Sequence, residues 1–153
     1  EWDLDSGVTS PAIEAWAKTR EPQPTNAVTK VREYPVTFAT SGLQQIDNIP
    51  RGPAIRAIHL AKADVSEVEF EINTGSGPFK LIEGPKGLLE TEQKQHDRTP
   101  ITAGYTHLDF NLLGRASGYL LTGGLIDMRV KPTLDTSGAL TAVVEYIDGL
   151  NGL

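Results

Sequence analysis

One strictly alternating segment constrains the fold of this chain more than any other feature. Residues 65–72 alternate an apolar set with an acidic set, which are Val68, Phe70 and Ile72 against Glu67, Glu69 and Glu71. Successive side chains of a β-strand point to opposite faces, so this pattern predicts a strand with one buried face and one wet face. Three carboxylates cannot share a dry core, so we expect this acidic row at solvent or at a subunit boundary, against basic residues of a neighbour. A metal site is the alternative interpretation.

Further short apolar segments, separated by turn residues, follow one another from residue 34 onward. Such a series predicts an all-β sandwich or barrel. A short helix is expected between residues 85 and 96, around Leu88, Leu89, Glu92 and Gln93. The eight predicted strands are residues 34–40, 54–61, 65–73, 79–82, 105–113, 119–121, 126–131 and 139–147.

The periodicity also predicts which side chains share a core. Alternate residues on facing strands of a sandwich interdigitate, so residues of one parity on each strand should meet inside. We expect six of them to line one core: Val68, Phe70, Leu108, Phe110, Val143 and Tyr146.

The first 32 residues show a different pattern. Residues 1–5 alternate like the end of a strand that is too short to stand alone. Residues 10–20 predict a helix in which Ile13 and Trp16 belong to one apolar stripe. Residues 25–32 are polar and are expected to be a linker.

Composition limits the classes of function. A chain of 153 residues has room for one ordinary domain. It contains no cysteine, which excludes disulfides, thiol nucleophiles and thiolate-bound zinc. The 14 basic residues are scattered within a net charge of −6, so nucleic-acid binding is not expected. No apolar stretch is long enough to span a bilayer.

Candidate catalytic groups are few. His107 and Asp109 lie two apart on one predicted strand and face the same way as Tyr105, while His59 lies on another strand. A His/Asp pair can orient an imidazole or bind a metal, but a polar strand face is the simpler interpretation. The chain has no nucleophile elbow, phosphate-binding loop, zinc-protease motif or dinucleotide fingerprint. We therefore predict no catalytic, cofactor-binding or metal-binding residue.

Several blocks of the chain carry a family resemblance through their joint order and spacing. They are residues 46–51 (I-D-N-I-P-R), 56–60 (R-A-I-H-L), 65–72, 105–110 (Y-T-H-L-D-F), 127–131 (D-M-R-V-K) and 143–146 (V-V-E-Y). Together they resemble the C-terminal jelly roll of the major capsid protein of corticoviruses, tailless icosahedral bacteriophages with an internal membrane. Residues 74–102 depart most from that family.

The resemblance implies an all-β fold, an eight-stranded jelly-roll β-sandwich preceded by a strand remnant and a short helix. Residues 1–32 would be the end of a preceding jelly roll plus a linker helix, and residues 33–153 the C-terminal jelly roll. The chain begins with Glu1 rather than Met, and we expect it to be the C-terminal part of a longer coat protein. The alternative is a single-jelly-roll protein whose N-terminal arm reaches a neighbouring subunit.

The function implied by the resemblance is that of a major capsid protein, a structural subunit of an icosahedral shell over an internal membrane. Its expected partners in the virion are other copies of itself, as a homotrimer, neighbouring capsid proteins and the internal lipid membrane. Calcium stabilises some such capsids, but no ligand cluster in this sequence places an ion. Neither catalysis nor a cofactor is expected.

Two other classes of function remain open from the residues alone. A carbohydrate-binding or adhesion module is one, because β-sandwiches commonly serve as such. A sugar platform needs exposed aromatic side chains, and from residue 34 the chain has no tryptophan and only four tyrosines and four phenylalanines. A small hydrolase on a β scaffold is the other, and it lacks a recognisable nucleophile.

Overall fold

The computed structural model describes residues 27–47, 49, 52–96 and 103–149. The predicted strand at residues 1–5 and the predicted helix at residues 10–20 lie outside these residues. The described part contains nine strands and one α-helix. They are β1 (Ala27–Phe38), β2 (Gly42–Leu43), β3 (Ala54–Ala61), β4 (Val65–Asn73), β5 (Pro78–Pro85), α1 (Lys86–Gln95), β6 (Tyr105–Asp109), β7 (Leu120–Leu121), β8 (Asp127–Leu134) and β9 (Gly138–Gly149).

The strands form two antiparallel sheets. The larger sheet has the order β1-β9-β3-β6, with β7 also pairing with β3, and the smaller sheet has the order β2-β8-β4-β5. With β7 set aside, the first strand pairs with the last, the second with the second-last, β3 with β6, and β4 with β5. Such nested pairing, rolled into two stacked sheets, is the jelly-roll arrangement. The jelly-roll prediction is therefore confirmed.

The core lies between the two sheets and is built from alternate residues of the strands. Phe70 is fully buried, and its ring centroid lies 5.3 Å from that of Phe110. Both sheets contribute further side chains with at most 1% exposure, among them Ile58, Leu60, Val68, Leu108, Val130, Leu140 and Val144. Of the predicted core residues, Val68, Phe70, Leu108 and Tyr146 are buried, and Phe110 is half-buried against the core.

Val143 was assigned to the wrong face of its strand. The inward residues of β9 are Leu140, Ala142, Val144 and Tyr146, all buried. Val143 lies between them in sequence and pairs with His59 of β3, so its side chain belongs to the outer face of the larger sheet. Because Val143 and Val144 are both apolar, hydrophobicity alone does not define the parity of this strand.

Two strand boundaries differ most from the prediction. The strand predicted to begin at residue 34 begins at Ala27, so residues 27–32 are strand and not linker. The reason is tertiary, because Ala27 pairs with Gly149 and the ladder with β9 continues from there. The strand predicted for residues 105–113 ends at Asp109, whose Oδ1 accepts a hydrogen bond from the backbone N–H of Asn111 at 2.7 Å and starts a turn.

The strands predicted for residues 79–82 and 126–131 continue to Pro85 and Leu134, and the remaining boundaries agree closely. The predicted strands at residues 54–61 and 65–73 are β3 and β4, and the expected helix is α1. The two-residue strand β2 was missed, since Gly42 and Leu43 carry no periodic pattern. No helix in the described part of the chain is long and apolar enough to cross a bilayer.

Helix α1 covers the edge of the sandwich at β6. Leu89 and Gln93 are its buried residues, and Gln93 Nε2 donates a hydrogen bond of 2.8 Å to the carbonyl oxygen of His107. An uncovered edge strand exposes backbone groups that can pair with another chain. The helix therefore satisfies part of this edge and joins it to the core.

At one end of the sandwich, Asp64 links the two turns in which the chain passes from one sheet to the other. Its carboxylate accepts hydrogen bonds from the backbone N–H and the hydroxyl of Thr136 and lies 2.9 Å from Lys62 Nζ. The hydrogen bond from the Thr136 side chain, followed by that from Lys62, lowers the pKa of Asp64 to about 2. The turn after β3 is thereby tied to the turn before β9.

Replacing each of three phenylalanines by alanine tests the burial pattern, because the chemical change is the same at each position. We expect Phe70→Ala to lower the free energy of unfolding by about 3–5 kcal/mol, because it leaves a cavity in the core. Phe110→Ala should cost about 1–2 kcal/mol, because this ring is only half-buried. Phe79 is 62% exposed, and Phe79→Ala should change stability by no more than about 0.5 kcal/mol. Urea titrations of the three variants give the ranking, and equal losses at Phe70 and Phe79 would contradict the face assignment.

Candidate functional site

The outer face of the larger sheet brings the sequence-predicted His59, His107 and Asp109 together. His59 pairs directly with His107, and Asp109 pairs with Ala57, two residues before His59. Directly opposite residues of antiparallel strands share a face, so all of these side chains lie on the outer face. On the other side of β3, Glu145 of β9 pairs with Ala57 and so joins the same group.

The two histidine rings are in direct contact, and we call them the histidine pair. His59 Nδ1 and His107 Nδ1 lie 2.7 Å apart, with the ring planes at 73°. The other nitrogen of His59, Nε2, lies 3.4 Å from Glu145 Oε1, and Glu145 Oε2 lies 3.0 Å from Arg56 Nη1. Tyr105 stacks on His107, with ring centroids 6.0 Å apart and planes within 4° of parallel.

His107 is half-buried, and its Nε2 atom is fully buried. Burial lowers the pKa of His107, and the neighbouring His59 lowers it further because two adjacent cations repel. Asp109 and Glu90 act in the opposite direction without reversing the shift. The neutral form of His107 is therefore the favoured one at this position.

The histidine pair is not a metal centre as it stands. No group of three or more His, Asp or Glu side chains within residues 27–47, 49, 52–96 and 103–149 is placed to hold a metal ion. The carboxylate nearest to His59 approaches the ring nitrogen that points away from His107, so the three groups do not converge on one point. A closed four-ligand site of the structural zinc type is not formed by these residues.

The acidic row lies on the outer face of the smaller sheet, as its alternation predicts. Glu67 is exposed, but Glu69 and Glu71 are half-buried because lysines of this same chain lie against them. Lys131 Nζ is 2.9 Å from Glu71 Oε2, and Lys80 Nζ is 3.2 Å from Glu69 Oε2. The expected basic neighbours are thus intramolecular. A calcium ion does not suit this row, since two of its three carboxylates are already engaged by ammonium groups.

A third surface was not found from the sequence. An open groove of about 630 Å³ lies where β5, β6 and β7 approach one another, and we call it the apolar groove. Its walls include Leu81, Leu113 and Leu121, whose exposed fractions are 40%, 69% and 74%. The leucines come from three separate segments, so only the fold places them side by side. Exposed apolar side chains gathered in one place are typical of contact surfaces.

Residues 28–150 match the family model described as viral coat protein P2 C-terminal domain. The match therefore spans β1 to β9. No curated protein matches the chain at a significant level.

Solved structures show the same fold. The major capsid protein P2 from bacteriophage PM2 is 24% identical with a TM-score of 0.71, over 84% of this chain and 48% of that one. The MCP of STIV is 18% identical with a TM-score of 0.62, over 83% and 44%. A chain of the Sulfolobus turreted icosahedral virus structure is 16% identical with a TM-score of 0.65, over 81% and 39%. This chain thus spans less than half the length of each solved chain.

The two ion pairs of the acidic row predict different coupling energies. A double-mutant cycle with Glu71→Gln and Lys131→Met should give about 1 kcal/mol, because both side chains are largely shielded from water. The matched cycle with Glu69→Gln and Lys80→Met should give a clearly smaller coupling energy, because water screens this more exposed pair. Lys80 is more exposed and keeps Glu83 at 2.6 Å as a second partner. Urea unfolding of all variants provides the energies, and a larger coupling for the Lys80 pair would show that shielding does not set the difference.

Proposed function

Because this chain belongs to the viral coat protein P2 C-terminal domain family, we propose that it is one jelly-roll half of a major capsid subunit in an icosahedral shell over an internal membrane. The observation that carries the proposal is the family match over residues 28–150, which spans every strand of the sandwich. The capsid role itself follows from the family. The finer parts of the proposal are the second jelly roll, the homotrimer, the neighbouring capsid proteins and the membrane.

The extent of the structural matches supports a longer subunit. The chain covers 48% of the PM2 capsid protein P2 and 44% of the STIV protein. A coat subunit of that length has room for a second sandwich beside this one. We propose that residues 1–26 lead from that first jelly roll into the domain described here, which begins with β1 at Ala27.

The apolar groove is the surface through which we propose that this domain meets a neighbouring capsid subunit. A coat protein performs its role by contacting other subunits, and Leu81, Leu113 and Leu121 form an apolar surface for such a contact. Burial of exposed leucine side chains is favourable by roughly 1.5–3 kcal/mol each. The charged outer face of the smaller sheet is less suited, because its lysines and glutamates already neutralise one another.

The structure gives little support to the carbohydrate-binding alternative. A sugar platform needs several exposed aromatic faces close together. Phe79 is the aromatic residue with a large exposed fraction within the described ranges, while Tyr34, Tyr105 and Tyr119 are half-buried and Tyr146 is buried. The proposal therefore assigns the chain a structural role and no catalysis.

Two measurements on virions test the capsid role and the length of the proposed subunit. Electron microscopy of virions that carry this chain should show it as the main component of an icosahedral shell outside a lipid layer. Intact mass spectrometry of the natural protein should give a mass nearly twice 16.5 kDa. A mature mass near 16.5 kDa would contradict the two-jelly-roll subunit, and a shell built from a different protein would contradict the capsid role.

Charged substitutions test the apolar groove. We expect Leu113→Glu and Leu121→Glu in the full-length coat protein to abolish shell assembly while leaving the melting temperature within about 2 °C, because both side chains are exposed in the single subunit. Leu43→Glu is the matched control, since Leu43 is 58% exposed on the smaller sheet. Sedimentation and electron microscopy record assembly. Normal shells from both groove variants, or equal loss from the control, would show that the groove is not the contact surface.

A further inference from the structure

When both rings of the histidine pair are neutral, only one placement of their protons fits the contacts. Two nitrogens 2.7 Å apart are within hydrogen-bond distance, so one Nδ1 must carry the proton and the other must accept it. His59 Nε2 faces the carboxylate of Glu145 and is therefore the protonated nitrogen of that ring. Neutral His59 then accepts at Nδ1, and His107 donates from its own Nδ1.

This assignment leaves His107 Nε2 as an unprotonated nitrogen. It is buried and has no hydrogen-bond partner among the described residues. A further proton has two places to go. On His107 Nε2 it would produce a buried cation without an acceptor, and on His59 Nδ1 it would break the hydrogen bond between the rings. Either outcome places two imidazole rings in contact with an extra positive charge between them.

From this geometry we propose that His59 and His107 form an acid-sensitive clasp between β3 and β6, in which uptake of one proton either breaks the hydrogen bond between the rings or leaves a buried cation without an acceptor, and so loosens β6 together with α1. The mobile unit follows from the fold. β6 is the edge strand of the larger sheet, and β3 is its only strand partner among the described residues. Helix α1 is attached to β6 through Gln93 and the carbonyl oxygen of His107. Opening of the clasp therefore acts on a strand that has a sheet neighbour on one side only within the described residues.

The charged groups that face the pair come from every element around it. On β3 and β9, Arg56 and Glu145 form an ion pair with each other, and Glu145 also lies 3.4 Å from His59 Nε2, so its negative charge attracts a proton on His59 while Arg56 opposes it. On β6, Asp109 raises the pKa of His107, and on α1, Lys86 lowers it while Glu90 raises it. Burial and His59 are the dominant causes, and both lower the pKa of His107. Opposite charges nearby do not remove the acid sensitivity.

The sign of the pH dependence follows from the lowered pKa. The unfolded chain, in which a histidine has a pKa of about 6.5, binds the proton more tightly than the folded chain does. The stabilising contribution of the clasp is thus complete above that value. It is lost as the pH falls through the lower pKa of the folded protein.

Nitrogen NMR of the full chain tests the proton positions without any substitution. At pH 7.5 the ¹⁵N shifts should show His107 protonated at Nδ1 and His59 at Nε2. His107 should remain neutral to a lower pH than a histidine of the unfolded chain, whose pKa is about 6.5. His59→Asn should raise the pKa of His107 toward its ordinary value. Independent titration of all three histidines, with averaged shifts for both ring nitrogens, would overturn the proposal.

Hydrogen exchange tests whether opening of the clasp loosens β6 and α1. Between pH 7.5 and 5.0, after correction for intrinsic rates, the protection of amides in β6 and α1 should fall by up to about tenfold for each pH unit between the ordinary pKa of histidine and the lowered pKa of His107. His96→Asn should reproduce this loss, whereas the double variant His59→Asn, His107→Asn should lack it. Protection in β4 and β8 serves as the internal reference. Equal pH dependence in the wild type and the double variant would show that the clasp does not control β6.

Discussion

The pairing of β1 with β9 is the constraint on which the rest of the sandwich depends. These two strands, each 12 residues long, are in register from Ala27 opposite Gly149 to Phe38 opposite Gly138. Because the first and last strands pair, all other strands lie within the loop that this pairing closes, and here they form nested pairs. The loop entropy of this long-range contact is unfavourable until the core forms, so the pairing and the core are mutually dependent. The extent of this ladder also explains why β1 starts within a segment that has linker-like composition.

Register then decides which surface each side chain serves. Directly opposite residues share a face, so the ladder that points Val144 inward also places Val143, His59 and His107 in one row on the outside. A shift of one residue in β9 would exchange these two sets. The histidine pair and the core are thus products of one register. An effect on the outer row is transmitted most readily to β6, because that strand has a sheet neighbour on one side only within the described residues.

The local sequence was sufficient to predict an element and its orientation where one face of the element is exposed to water and the other is buried. This holds for β3, β4 and α1, and for the outward direction of the acidic row. It was insufficient where both neighbours are apolar, as at Val143 and Val144, and where pairing overrides composition, as in residues 27–32. The histidines and Asp109 were found as residues of a polar face. Their contact with each other depends on the β3–β6 register and could not be read from sequence spacing. The apolar groove depends on three separate segments and was not predicted.

The distribution of charge bears on what can drive the subunit into a shell. The acidic row suggested an electrostatic contact with basic residues of a neighbour, but Lys80 and Lys131 of the same chain occupy that position. Their attraction is therefore already present in the isolated domain and adds little to association. The net charge of −6 works weakly against the approach of identical subunits, and salt screens that repulsion. Burial of apolar surface is the favourable term that remains, and among the described residues the exposed leucines of the groove are placed to supply it.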